Sequence, residues 1–211
     1  MSVLRHACRA LLIAAAVVAA AAGAAALPAC AKPAPLPRIA EVPQFSLQDQ
    51  NGHTLTRENL RGGVWIANFM FTSCPDVCPL LTAKMAGVRG RLVGDRKQVR
   101  YVSFSVDPEH DTPAVLKKYA IEHSADRSDW SFVTGPLDQV KRVIVSGFKE
   151  LREVSPEQAG KANAILHGSH FVLIDRQLAI RGYYPSDQEG LLRLARDAAI
   201  LLAEPSKARH S

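Results

Sequence analysis

Val64-Trp65-Ile66-Ala67-Asn68-Phe69-Met70-Phe71-Thr72-Ser73-Cys74-Pro75-Asp76-Val77-Cys78-Pro79 is the stretch that decides the fold. Its first eight residues form a near-continuous apolar run, as expected of a strand buried on both faces. Two cysteines follow at once, and Leu80 to Leu92 then carry apolar residues at helical spacing. A strand that runs through a cysteine-bearing turn into a helix is the unit around which the rest of the chain is read.

Downstream, Val99 to Val106 is a second buried strand rich in β-branched and aromatic residues. Asp111-Thr112-Pro113 opens a helix to about His123, with a capping side chain beside a proline at the first turn. Trp130 to Val133 reads as a strand and Leu137 to Leu151 as a helix. Phe171 to Ile174 and Ala179 to Tyr184 are strands flanking the turn Asp175-Arg176-Gln177. Ser186 with Glu189 has the spacing of a capping box and opens a last amphipathic helix to about Ala203. Upstream, Phe45 to Leu47 is a short strand entering the turn Asp49-Gln50-Asn51-Gly52. Thr54 to Leu60 lead to a second turn at Arg61-Gly62-Gly63.

Strands alternating with helices imply an α/β domain: a central mixed sheet with parallel pairs and helices on both faces. A closing antiparallel pair followed by a helix is the signature of thioredoxin-like folds, here in the peroxiredoxin-like variant. This domain is expected over residues 44–204, with 205–211 as a tail.

The N-terminus reads as a targeting segment. Residues 1–9 carry Arg5 and Arg9 with no acid, and Leu11 to Ala29 are Ala, Val, Leu and Ile broken only by Gly23 and Pro28. A basic start, an apolar run and small residues at its end make an export signal over residues 1–30. Leu27-Pro28-Ala29-Cys30 resembles a bacterial lipobox, in which the cysteine is acylated; Leu at −3 and Ala at −1 fit, and Pro at −2 departs from the pattern. Three outcomes remain open: a lipid on Cys30, an uncleaved transmembrane anchor, and plain signal cleavage. The first two tether the domain on the periplasmic side of a bacterial inner membrane. Residues 31–43 are Pro-rich without apolar period, the composition of an extended spacer.

Charge excludes one class. The formal net charge of +6 invites a nucleic-acid reading, but residues 1–30 hold two arginines and no acid, leaving 24 basic against 20 acidic residues. No run of like charge and no basic stripe interleaved with aromatics appears, so nucleic acid is not an expected partner.

With Cys8 in the signal and Cys30 at its edge, Cys74 and Cys78 are left for the folded domain. In a helix these positions share one face, about 5–6 Å apart. A helix N-terminus favours negative charge, lowering thiol pKa values and populating thiolate. Paired thiolates are soft ligands for Cu(I) or zinc and also oxidise to a disulfide. A structural staple and a dithiol redox enzyme are the competing readings; the usual oxidoreductase motif has two intervening residues where this one has three. His167, in a loop just before the strand Phe171–Ile174, is the candidate third ligand. His170 competes with it but lies at the strand's start. Asp76 and Asp107 either tune the site or are a solvated residue and a turn cap. His53, His110 and His123 read as surface residues.

Phe69 to Pro79 resembles the copper-binding turn of the Sco/SenC proteins, thioredoxin-like copper chaperones and thiol proteins of cytochrome c oxidase assembly. Ser105-Val106-Asp107-Pro108-Glu109-His110-Asp111-Thr112-Pro113 and Trp130-Ser131-Phe132-Val133-Thr134-Gly135 resemble two further blocks of that family. The resemblance covers about residues 43–203. It implies one copper ion, Cu(I) or Cu(II), held by Cys74, Cys78 and His167. It also implies a periplasmic copper donor, and as recipient the dinuclear copper centre of an oxidase subunit. A metallochaperone and a thiol–disulfide oxidoreductase that reduces the oxidase's copper-site cysteines are the two functions to separate. Copper transfer needs the third ligand, whereas dithiol exchange needs only Cys74 and Cys78. A peroxidase would also need a Thr/Ser and Arg cluster around one cysteine.

Overall fold

A computed structural model describes residues 34–92, 99–148 and 170–205 of the chain, and the folded unit begins at Pro35. Its strands are β1 (Ala40–Glu41), β2 (Ser46–Asp49), β3 (Thr54–Thr56), β4 (Val64–Met70), β5 (Val99–Ser105), β6 (Trp130–Thr134), β7 (His170–Ile174) and β8 (Ala179–Pro185). The helices are α1 (Val77–Arg91), α2 (Pro113–Glu122), α3 (Leu137–Lys141, continued by a π-turn over Arg142–Gly147) and α4 (Gln188–Ala203).

The strands form one mixed sheet in the order β1-β8-β7-β4-β5-β6-β2-β3. β4 lies at its centre, parallel to β5 and antiparallel to β7. β5 is parallel to β6, and β7 closes antiparallel with β8. The crossovers β4-α1-β5 and β5-α2-β6 supply the parallel pairs, as such pairs require. Every residue of β4 is buried, which matches its unbroken apolar pattern.

Alternation along the strands sends side chains to two cores. Val64, Ile66 and Met70 of β4 join Tyr101, Trp130, Phe132, Phe171 and Leu173 under α1, α2 and α4. Those helices contribute Leu81, Met85 and Val88, then Leu116, Tyr119 and Ala120, then Leu194, Ala198 and Leu201. Trp65, Ala67 and Phe69 face the other way, onto Val102, Phe104, Val172 and Ile174 under the α3 segment. Helices therefore cover both faces, as expected from the sequence. Gln50 lengthens the β2–β6 pairing with its side chain, which donates to Trp130 O at 3.1 Å and accepts from Phe132 N at 2.9 Å.

The folded unit takes in part of the stretch read as spacer. Ile39 N donates to Ile180 O and Val42 N to Leu178 O, each at 2.9 Å, and Val42 is fully buried. Arg181 reaches across to Pro37 O at 3.0 Å and Leu36 O at 2.7 Å, while its other side grips Asp175 Oδ2 at 2.9 Å. Backbone partners for an extended, period-free segment come here from the hairpin β7–β8.

The start of α4 differs from expectation, and that of α2 agrees with it. Asp187, not Ser186, caps α4, accepting from Gly190 N at 2.7 Å. Thr112 caps α2 through Val115 N, which frees Asp111 for another task. Leu137–Leu151 is α-helical only over its first turn and then widens into the π-turn; Leu151 lies outside the described residues.

Candidate metal centre

Where β4 ends, Val106 N still bonds Met70 O at 2.9 Å, and the chain then leaves the sheet. Cys74 N donates to Phe71 O at 3.3 Å, closing the turn. Asp76 occupies the N-cap position of α1 without a side-chain cap bond. Its place is taken by sulfur: Cys78 N donates to Cys74 Sγ at 3.4 Å. Cys74 thus stands just before the helix and Cys78 inside its first turn. Both are free thiols, Cys74 half-buried and Cys78 buried.

The two differ electrostatically. Burial opposes ionisation of Cys74, but hydrogen bonds from the Cys78 amide and thiol and from the amides of Asp76 and Val77 outweigh it and hold the pKa below the ordinary thiol value. Burial pushes the Cys78 thiol up to about 12, against a bond from Phe71 N, with Cys74 and the charge of Asp111 adding to the rise. The expectation that the helix N-terminus lowers both thiols is corrected for Cys78. The helix supplies its free N–H groups to the residue in front of it, and Cys78 lies beyond that point under the core.

Around the pair lie groups that the sequence reading did not assign. Thr82 Oγ1 donates to Cys78 O at 3.0 Å and shares a 2.9 Å hydrogen bond with Tyr119 Oη. Burial raises the Tyr119 pKa to about 12, the Thr82 bond opposing. Asp111, fully buried, accepts from Thr72 N at 3.1 Å, Thr72 Oγ1 at 2.5 Å and Ser105 Oγ at 2.6 Å. Polar residues at the ends of the two apolar strands, Thr72 and Ser105, were the available signal. Asp107 pairs with exposed His110 at 2.9 Å, and that bond raises the His110 pKa.

His167 lies outside the described residues. His170, half-buried, begins β7. Because β7 runs antiparallel to β4 with Ala67 opposite Val172, His170 sits at the end of the sheet where β4 enters the cysteine turn. Among the described residues no group of three or more His, Cys, Asp or Glu side chains forms a metal cluster. Two soft thiols on one turn, one of them accessible, suit a soft monovalent ion that takes its third ligand from elsewhere.

A central mixed sheet flanked by helices, with a reduced cysteine pair at the mouth of the first helix, defines a thioredoxin-like thiol protein. Residues 34–199 match the SCO1/SenC sequence profile, and the chain belongs to that family. It is similar to a SCO1/SenC family lipoprotein of Bacillus anthracis, with 31% identity, a TM-score of 0.67, and coverage of 77% of this chain and 95% of that one. BsSco, a Sco family member described as a cytochrome c oxidase assembly protein with a disulfide switch, shares 30% identity at a TM-score of 0.68 over 81% and 99% of the two chains. Bradyrhizobium japonicum ScoI, solved with copper bound, shares 26% identity at a TM-score of 0.58 over 74% and 99%.

Proposed function

We propose that this protein is an exported, membrane-tethered copper carrier. It holds one copper ion between Cys74, Cys78 and His167 and delivers it to the dinuclear copper centre of cytochrome c oxidase during assembly. The observation that carries the reading is the reduced pair itself, with Cys78 N on Cys74 Sγ at 3.4 Å, one sulfur just before the helix and the other in its first turn. His167 stands three positions before His170, which opens the strand at the cysteine end of the sheet, and the membership of the SCO1/SenC family supports it as the third ligand. Copper bound in ScoI and oxidase assembly in BsSco support the cargo and the destination. The lipoprotein relative and the Leu27–Cys30 motif support a tether on the periplasmic side, where a copper donor loads the site. Cys74 is half-buried where Cys78 is buried, so ligand exchange with donor and recipient begins at Cys74.

The unequal thiols favour one further role at the same site. A stabilised Cys74 thiolate attacks a disulfide between the oxidase's copper-site cysteines, forming a mixed disulfide and releasing one oxidase thiolate; Cys78, on losing its proton, then attacks Cys74 Sγ and releases the second. Two electrons pass to the oxidase, and Cys74–Cys78 leaves as a disulfide.

Titration with Cu(I) and Cu(II) against a competing chelator tests the carrier reading, on reduced protein carrying Cys8→Ser and Cys30→Ser. One-to-one binding that His167→Ala weakens and His170→Ala spares is expected. Weak binding by all three proteins, with a readily exchanged Cys74–Cys78 disulfide, assigns the protein to the oxidoreductase class instead.

A further inference from the structure

We propose that Asp111 is the positioning residue of the cysteine turn, its buried carboxylate holding Thr72 against the end of β5 so that Cys74 and Cys78 keep their paired, reduced arrangement. The turn after Met70 has little of its own to hold it: Cys74 N on Phe71 O at 3.3 Å, and Phe71 N on Cys78 Sγ at 3.5 Å. Asp111 supplies the fastening from outside. It takes the Thr72 amide and hydroxyl and the Ser105 hydroxyl together, tying the turn to β5 and to the start of α2. Thr72 adjoins Phe71, whose amide is the donor on Cys78 Sγ, so the tie is one residue from the sulfur.

Three features set this carboxylate apart from a helix cap. The capping of α2 is done by Thr112. Asp111 is 0% exposed, and no ion pair of the described residues includes it. An unpaired carboxylate is costly to bury unless hydrogen bonds satisfy it, so its three donors are what keep it there. Its own backbone is pinned by Asp111 N on Asp107 O at 2.9 Å. The acceptor therefore stays put and fixes the backbone of the turn, whose Phe71 and Cys74 side chains also pack against the core.

The test uses the full chain with Cys8→Ser and Cys30→Ser, carrying Asp111→Asn, Thr72→Val, Ser105→Ala or both Asp111→Asn and Thr72→Val. The dithiol–disulfide equilibrium of metal-free protein against glutathione is read first, and Cu(I) affinity second. Asp111→Asn shifts the equilibrium toward the disulfide by at least tenfold, and Thr72→Val shifts it the same way by less. The double variant matches Asp111→Asn within twofold, because both act through one contact. Removing a negative charge by itself favours thiolates and moves the equilibrium oppositely, so a common direction isolates position from charge. Arg181→Met, remote from the turn, lowers the melting temperature without moving the equilibrium. An unmoved or opposite equilibrium in Asp111→Asn, or multiplicative effects in the double variant, overturns the proposal. If Asp111→Asn does not fold, Thr72→Val and Ser105→Ala decide by the same direction. The proposal rests on the carrier reading for the copper arm alone. Wild-type protein that fails to bind copper defeats that reading, while the glutathione arm still judges Asp111.

Discussion

The amide of Cys78 donates to the sulfur of Cys74 at 3.4 Å, so the second cysteine supports the charge of the first. Alkylation with iodoacetamide at stepped pH, read by mass spectrometry on reduced metal-free protein, exposes the asymmetry. Cys74 is modified at lower pH than an ordinary thiol and Cys78 only in strong alkali, near its pKa of about 12. A common midpoint for both contradicts the arrangement. The sign for stability follows from linkage. Cys74, lowered on folding, contributes above the ordinary thiol pKa and loses that contribution as pH falls through its own value. Cys78, raised on folding, contributes below the ordinary value and loses it as pH rises toward 12.

His110 gives a second, independent titration. Its pKa is raised through the Asp107 bond, so Asp107→Asn returns the midpoint toward that of an ordinary histidine in an NMR titration. The contribution of the pair to stability is present at acid pH and lost as pH climbs through the raised value. An unchanged midpoint in the variant breaks the assignment.

Arg181→Met removes one partner of a buried pair whose side chains are 6% and 3% exposed. Asp175 keeps only the looser Arg38 at 3.9 Å and the amides of Gln177 and Ala179, so the loss is expected at roughly 3 kcal/mol, the low end for a broken buried pair, measurable by guanidinium unfolding. The variant also releases Leu36 and Pro37, so limited proteolysis cuts ahead of β1 sooner than in wild type. Equal cleavage rates in the two proteins contradict the clamp.

Phe148 is fully buried, with ring centroids of Trp65, Phe69 and Phe104 at 6.3, 5.2 and 5.5 Å. Phe148→Ala is expected to cost about 3–5 kcal/mol in guanidinium unfolding. A loss below about 1 kcal/mol means that the surrounding rings close the gap.

Gly190 lies where α4 begins, and a Cβ there overlaps the carbonyl of Pro185. Gly190→Ala therefore loses roughly 1–3 kcal/mol through backbone displacement, despite the better helix propensity of alanine. A higher melting temperature in the variant rules out the clash.

The elements legible in the sequence were those whose information is local. Val64–Phe71 and Val99–Val106 announce buried strands by composition, and the cysteine turn follows from its place between strand and helix. Residues 36–42 were not legible as part of the fold. Prolines hide their pairing, and the Arg181 that fastens Pro37 lies 144 positions away. Asp111 beside Thr112-Pro113 has the local look of a helix cap, and its partner Thr72 is 39 positions distant. The helix-terminus argument for the thiols was sound for Cys74 and failed for Cys78, because burial depends on what packs over the helix. His167 lies outside the described residues, and its ligand role is carried by the titration proposed above.

The sheet ends in very short strands: β1 has two residues and β3 three. A long exposed edge offers a row of unpaired N–H and C=O groups to any other chain. Here each end of the sheet has only a stub, so a second molecule has almost no template on which to add a strand. The apolar strands, which carry the aggregation hazard of this sequence, are enclosed several strands deep.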